Sequence, residues 1–176
     1  VLCEELDVKR SRREKIVNMA KIHDIGKINV DDEILKKPDR LTEKEFKEMK
    51  KHSKYGYEIL KEIDLFEDSL KVIFHHHEQY DGSGYPEGIS GEEIPLGARI
   101  LNVCDAFDVM TTGRTYKQAL DKPAVIEELK QYSGRQFDPQ IAEKMINLIK
   151  KGRFDGAFRS TIREKQTQLR AKLKTE

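Results

Sequence analysis

The chain has 176 residues, 37% of them hydrophobic and 37% charged, which is one domain's length and enough to bury a core without staples. Its 33 Lys and Arg nearly cancel its 32 Asp and Glu, leaving a net charge of +1. That balance disfavours nucleic-acid binding through bulk charge, though not through a local patch. A charged share above the usual quarter or so points to helices with ion-paired, solvated faces, or to a heat-adapted source. Cys3 and Cys104 are far apart with no CxxC spacing, which argues against a disulfide framework and a thiolate zinc site and suits a reducing cytoplasm. No apolar run approaches the roughly 18 residues of a membrane span, and the opening residues carry no signal-peptide pattern. Because it opens on Val1 rather than Met, the chain is expected to be a fragment of a longer one.

Helical signals follow one another along the chain. Ser11-Arg12-Arg13-Glu14 reads as a capping box ahead of Ile16, Val17, Met19 and Ala20, with Gly26 as the expected C-cap. Thr42-Glu43-Lys44-Glu45 is a second capping box, opening a helix that carries Phe46 and Met49. Two further helical patterns cover Tyr55 to Ile63 and Leu65 to Glu78. Asp81 to Gly91 is rich in glycine and holds Pro86, so it is a loop. Helical patterns return from Ile94 to Met110, from Lys122 to Tyr132 with Pro123 in the first turn, and from Ile141 to Ile149 behind the N-cap pair Asp138-Pro139. No segment alternates like a strand, so the expected fold is all-α. One domain should span residues 1–150, with 151–176 a polar C-terminal helix or tail.

The five histidines are clustered rather than scattered. His23 is followed by Asp24, Gly26 and Lys27, and His75-His76-His77 runs into Glu78. An imidazole beside a carboxylate can serve two neighbouring metals, the carboxylate bridging them. Lys27 follows His23 by four residues, so a continuing helix would put its ammonium on the same face, where it could meet a phosphate oxygen. His76 and His77 are about 100° apart on a helix and could face two different metals. Asp105 sits in the apolar run Ile100 to Phe107, where an unpartnered carboxylate is costly to bury. Ligation would offset that cost, and so would a buried hydrogen bond or salt bridge. His52, among Lys50, Lys51 and Lys54, reads by itself as a surface residue. Imidazoles and carboxylates without thiolates leave coordination positions open, the profile of a hydrolytic site with an anionic substrate.

These residues resemble a known family. His23-Asp24 with Gly26-Lys27 is similar to the HD motif of metal-dependent phosphohydrolases. His76-His77-Glu78 followed by Asp81-Gly82-Ser83-Gly84-Tyr85-Pro86 is similar to the HD-GYP subfamily, as are Pro95 through Asp108 and Gln136-Phe137-Asp138-Pro139. The resemblance covers about residues 15 to 150 and implies an HD-domain helical bundle with a Gly-rich GYP loop. It implies metal-dependent hydrolysis of the bacterial second messenger cyclic di-GMP to pGpG, and often on to GMP. The implied ligands are His23, Asp24, His52, His76, His77 and Asp105, holding two or three divalent ions, iron or manganese, with Asp24 bridging. Asp24 and Lys27 would act in catalysis. Lys27, Arg114 and Lys117 would hold substrate phosphate or base, and Gly84, Tyr85 and Pro86 would line the approach. Implied partners are diguanylate-cyclase domains through the GYP loop and a sensory or receiver domain upstream; a homodimer is allowed but not required.

The chain also departs from the family pattern. No His stands upstream of the HD pair, and Glu4 and Glu5 lie too close to it to match, so the family's N-terminal helix and its ligand are expected to lie outside this chain. Thr115 stands where the family often has Pro, and Val109-Met110 replaces the more usual Ala-Leu. Two other readings stay open: a noncatalytic module that binds cyclic di-GMP or a cyclase, and a hydrolase of another cyclic dinucleotide such as cyclic GMP-AMP. An intact metal set favours an enzyme.

Overall fold

A computed structural model describes residues 1–63, 69–113 and 118–158. Among these residues are nine α-helices and no strand. They are α1 (Leu2–Glu5), α2 (Arg10–Ile22), α3 (Asp32–Leu35), α4 (Glu43–Lys50), α5 (His52–Leu60), α6 (Leu70–Phe74), α7 (Leu96–Thr112), α8 (Lys122–Gln131) and α9 (Pro139–Lys150). Three 3₁₀ turns, Ile25–Asn29, Gly91–Glu93 and Asp155–Phe158, complete the order. No described helix is long and apolar enough to cross a membrane.

Two apolar clusters hold the helices together. The larger joins α1, α7, α8 and α9 through residues such as Leu2, Val103, Phe107, Val125, Leu129, Ile141, Met145 and Ile149. The smaller joins α2, α5, α6 and α7 through Met19, Leu60, Leu70, Ile73 and Leu101. Helix α7 belongs to both, which explains a sequence apolar nearly all round. The core continues past Lys150, because Phe154 and Phe158 pack on Phe107 with ring centroids 5.1 and 5.9 Å away.

Side chains cap the starts of α3, α4, α8 and α9. Asp121 and Asp138 each accept from backbone N–H groups of the first turn they cap, with proline just inside. Asp138 also receives Arg99 Nη1 at 2.5 Å, while Arg99 Nε donates to Ile94 O. This buried pair ties the start of α7 to the start of α9. Tyr80 and Asp81 donate their N–H groups to Gln136 and Arg135 carbonyls, so the same region anchors the entry to the glycine-rich loop.

Several expectations are corrected. Helix α2 starts at Arg10 with Lys9 at its N-cap and no side-chain cap, so Ser11 is not a cap. The N–H of Val8 is held by Cys3 O, and Lys9 O accepts the first helical bond from Arg13 N. Glu14 pairs instead with Arg10 at 3.0 Å. Helix α2 stops at Ile22, and Gly26 is not its C-cap. Gly26 lies in the 3₁₀ turn against α5, where a Cβ would come within 1.9 Å of His52 O and 2.3 Å of Gly56 N. Phe46 is exposed, and α4 buries no residue. Helix α5 begins at His52, three residues before the expected Tyr55. Helix α6 ends at Phe74 rather than running on to Glu78, and Asn102 takes the carbonyls of His76 and Glu78. The start expected for it at Leu65 lies outside the described residues.

Two outcomes test these contacts. Gly26→Ala drives a Cβ into the α5 backbone and should cost about 3 kcal/mol or more in urea unfolding. Gly156→Ala, whose Cβ would meet nothing within 4 Å, should change stability by less than about 0.5 kcal/mol. The capping box at Thr42 is formed as expected, and Glu45 also takes Lys37 Nζ at 2.7 Å. The Lys37 hydrogen bond, then those from Thr42, draw the Glu45 carboxyl from 4.5 to about 2. A carboxyl more acidic in the folded chain stabilises it above pH 4.5, and that contribution fades as pH falls toward 2. Glu45→Gln should therefore lower the melting temperature at pH 7, with the gap to wild type closing between pH 4.5 and 2.

Candidate metal centre

Three of the histidines are aimed by the same device. The Nδ1 atoms of His23, His52 and His76 lie 2.8, 2.7 and 2.5 Å from the carbonyls of Ala20, Met49 and Ile73, each three residues earlier. A carbonyl can only accept, so the Nδ1 proton is fixed there and Nε2 is left as the free lone pair. The Nε2 of His52 lies 3.3 Å from that of His76 and 3.1 Å from that of His77. Ring nitrogens that both carry lone pairs repel at this spacing unless a cation lies between them.

His52 opens α5 on the inward stripe of His52, Gly56 and Leu60, one helical turn apart, while Lys51 and Lys54 are exposed. It is 1% exposed, so the surface reading its neighbours suggest is overturned. His76 and His77 lie in the turn beyond α6, not on the helix, with rings 4.0 Å apart. They converge on one cluster rather than facing opposite ways. Their turn is pinned by Asn102 of α7, whose Nδ2 donates to His76 O and Glu78 O at 3.2 Å each.

The carboxylates complete the cluster. One ligand atom from each of Asp24, His52, His76 and His77 lies within 4.8 Å of the others, a set able to hold a metal ion. Asp24 Oδ1 is 3.4 Å from His52 Nε2, and Asp24 Oδ2 is 3.5 Å from His23 Nε2. His23 Nε2 lies 3.8 Å from Asp105 Oδ1, so Asp105 joins from α7. Its side chain is 33% exposed rather than sunk in the core, because it faces this centre. Lys27 is in the 3₁₀ turn, not on a continuing helix, and its Nζ meets Asp24 Oδ2 at 2.6 Å. Tyr85 stacks on His77 at 4.9 Å and 27°. Gly84 lies on the Glu78–Gln79 backbone, and Pro86 is exposed after it. Arg114 and Lys117 lie outside the described residues.

Protonation favours cation binding. Burial pushes the His52, His76 and His77 imidazoles down, His76 to about 3, so they are neutral at pH 7 with lone pairs available. Burial alone would raise the Asp24 carboxyl, but the Lys27 hydrogen bond and the surrounding positive charge outweigh it and keep Asp24 ionised. Burial, reinforced by Asp24 and Asp105, raises the Tyr85 phenol, which stays protonated. The donor set is imidazole and carboxylate without a thiolate; Cys104 packs half-buried on the larger apolar cluster, where desolvation pushes its thiol up to about 12.

Sequence reasoning assigned no role to Asn102, Glu78 or Lys50. Asn102 reads as one more polar position on α7. Glu78 was visible only as the end of the histidine run. Lys50 reads as a solvated charge, yet its Nζ lies over the rings of Phe46 and Tyr85 at 4.8 and 5.0 Å.

The chain is similar to known proteins. The chain is 39% identical over 148 residues to the cyclic di-GMP phosphodiesterase response regulator RpfG of Xanthomonas campestris pv. campestris, covering 83% of this chain and 39% of that protein. It is 36% identical over 150 residues to the 3'3'-cGAMP-specific phosphodiesterase 2 of Vibrio cholerae serotype O1, covering 82% of this chain and 29% of that protein. The chain therefore spans well under half the length of these curated relatives. The crystal structure of a cyclic GMP-AMP-specific phosphodiesterase of V. cholerae superposes with a TM-score of 0.67 at 17% identity, over 95% of this chain and 45% of that one, and shares the fold. Residues 1–141 match the HD domain, a span that takes in every helix and turn from which the centre is built, and the chain belongs to that family.

Proposed function

We propose that this domain hydrolyses cyclic di-GMP to pGpG, and further to GMP, using divalent metal ions. The observation that carries the reading is the convergence of Asp24, His52, His76 and His77, with ligand atoms within 4.8 Å of one another. His23 and Asp105 extend that set on one side and Asp24 stands between, which suits two adjacent ions; iron or manganese fits these ligands. Such ions would supply Lewis-acid polarisation of a phosphoryl oxygen and a water acidic enough to attack at neutral pH.

The chain's own residues do the rest. Asp24, ionised beside Lys27, holds its oxygens toward the histidines. The Lys27 ammonium, kept at the edge of the centre by that contact, meets the charge that develops on the phosphoryl oxygens. Tyr85, protonated and stacked on His77, walls one side of the approach. Arg114 and Lys117 hold the second phosphate or a guanine, which is positioning rather than chemistry. Water adds across the diester, a phosphorus–oxygen bond to ribose breaks, and the ribose hydroxyl leaves. The reading extends to partners: a sensory or receiver domain upstream, cyclase domains at the GYP loop, and work in the cytoplasm. A second reading, hydrolysis of cyclic GMP-AMP, is favoured by the 36% identity to the V. cholerae relative of that specificity.

Two measurements check this. In calorimetric titration with Mn²⁺, His52→Ala and His76→Ala should each weaken binding by at least about 10–100-fold, the loss typical even for residues that only orient ligands. Unchanged affinity would remove the centre from consideration. Anaerobic turnover with Mn²⁺ or Fe²⁺ should convert cyclic di-GMP to pGpG or GMP, and His76→Ala should abolish it. Turnover of cyclic GMP-AMP alone would favour the second reading, and binding without turnover a receptor.

A further inference from the structure

Glu78 follows the two histidines of the centre but points away from them. At 2% exposure, no described carboxylate is more buried, and no described lysine or arginine pairs with it. Its oxygens are taken by main-chain donors. Glu87 N reaches Oε1 at 2.7 Å, and Gly88 N reaches both oxygens at 3.1 Å. His75 Nδ1 stands off at 3.7 Å, beyond a hydrogen bond. A carboxylate at such depth is costly unless its lone pairs are met, and here backbone N–H groups ten residues along the chain meet them.

Those contacts close the glycine-rich loop into a ring, with Glu78 at one end and Glu87-Gly88 at the other. The tip is pressed onto the base: a Cβ on Gly84 would lie 2.2 Å from Gln79 N and 2.5 Å from Glu78 Cα, so only glycine fits. The next residue is thereby turned back over the centre. Tyr85 N donates to His77 O at 3.2 Å, its ring stacks on His77, and Lys50 lies over the same ring. Asn102 fixes the turn from which all of this hangs.

We propose that Glu78 is a positioning residue: its carboxylate holds the loop as a wall over His77, so that Tyr85 confines a bulky phosphodiester at the centre. The identity of that diester rests on the proposed function; the role of Glu78 does not. Glu78→Gln keeps the shape but turns an NH₂ toward the N–H donors. The wall loosens while the histidines stay, and a cyclic dinucleotide suffers more than a small diester that needs no wall.

The test uses the full chain loaded with Mn²⁺. For Glu78→Gln, Mn²⁺ affinity should stay within about threefold of wild type, while amide exchange over residues 82–91 quickens about tenfold or more. KM for cyclic di-GMP should rise about tenfold or more with kcat within about threefold, and cleavage of bis(p-nitrophenyl) phosphate should move far less. Tyr85→Ala should add little to the defect of Glu78→Gln, because the two act through one wall. If Glu78→Gln does not fold, Gly84→Ala lifts the same loop without touching the carboxylate and should give the same KM and exchange changes. Unchanged exchange, or loss of Mn²⁺ binding in step with both activities, overturns the proposal. A wild type that cleaves the small diester but leaves cyclic di-GMP intact sinks the substrate reading instead, since exchange and Mn²⁺ affinity still decide the role of Glu78.

Discussion

A backbone carbonyl three residues upstream takes the Nδ1 proton of His23, of His52 and of His76. Much else at the centre depends on that contact. It selects the tautomer, fixes the ring plane and leaves Nε2 facing inward. Burial then keeps the His52 and His76 imidazoles neutral, so their lone pairs crowd one another until a cation accepts them. The contact needs a carbonyl at the end of a helical turn. This explains why each of the three histidines stands at a helix terminus: His23 closes α2, His52 opens α5, and His76 follows α6.

Bringing three helix ends to one place constrains the scaffold. The turn carrying Lys27 has to touch the first residues of α5, and only a residue without a side chain allows it; Gly26 fills that position. The turn after α6 has to hold a non-helical shape in the interior, and Asn102 supplies the donor that its carbonyls lack. Helix α7 also delivers Asp105 and, through Arg99 and Asp138, binds α9 to the same frame. An ion pair at that depth adds little net stability, but losing one partner would cost about 3–5 kcal/mol, so it fixes the register of the two helices.

The elements with strong local signals were legible in the sequence. Thr42 and Asp138 announce the starts of α4 and α9, where the caps form as written, and Pro123 sits in the first turn of α8 as expected. The glycine-rich loop was equally plain. Signals that depend on tertiary contact misled. Ser11 has cap chemistry, but Val8 is pinned by Cys3 and the helix begins without it. Gly26 has the look of a C-cap, but serves close approach. His52 sits among lysines in sequence and at 1% exposure in space, because helical geometry separates neighbours that the sequence joins. The resemblance to HD-GYP proteins grouped it with the other histidines, beside which the structure sets it; local reasoning did not. Glu78 and Asn102 went unread because their partners are backbone groups, which no side-chain pattern reveals.

The same geometry explains why substrate identity is harder to read than reaction type. In the proposed reaction, imidazoles, carboxylates and Lys27 act on phosphorus and its oxygens, which are alike in cyclic di-GMP and cyclic GMP-AMP. The base that differs lies away from phosphorus. Discrimination between guanine and adenine needs groups that meet their exocyclic atoms, and a site built to bond one rejects the other by leaving its own polar atoms unpaired. The wall formed by Tyr85, Lys50 and Phe46 offers ring faces and a cation, which attract either base with little preference. Selectivity must therefore come from outside the cluster and its wall. That separation explains how relatives named for two different cyclic dinucleotides, at 39% and 36% identity, can match the same 82–83% of this chain.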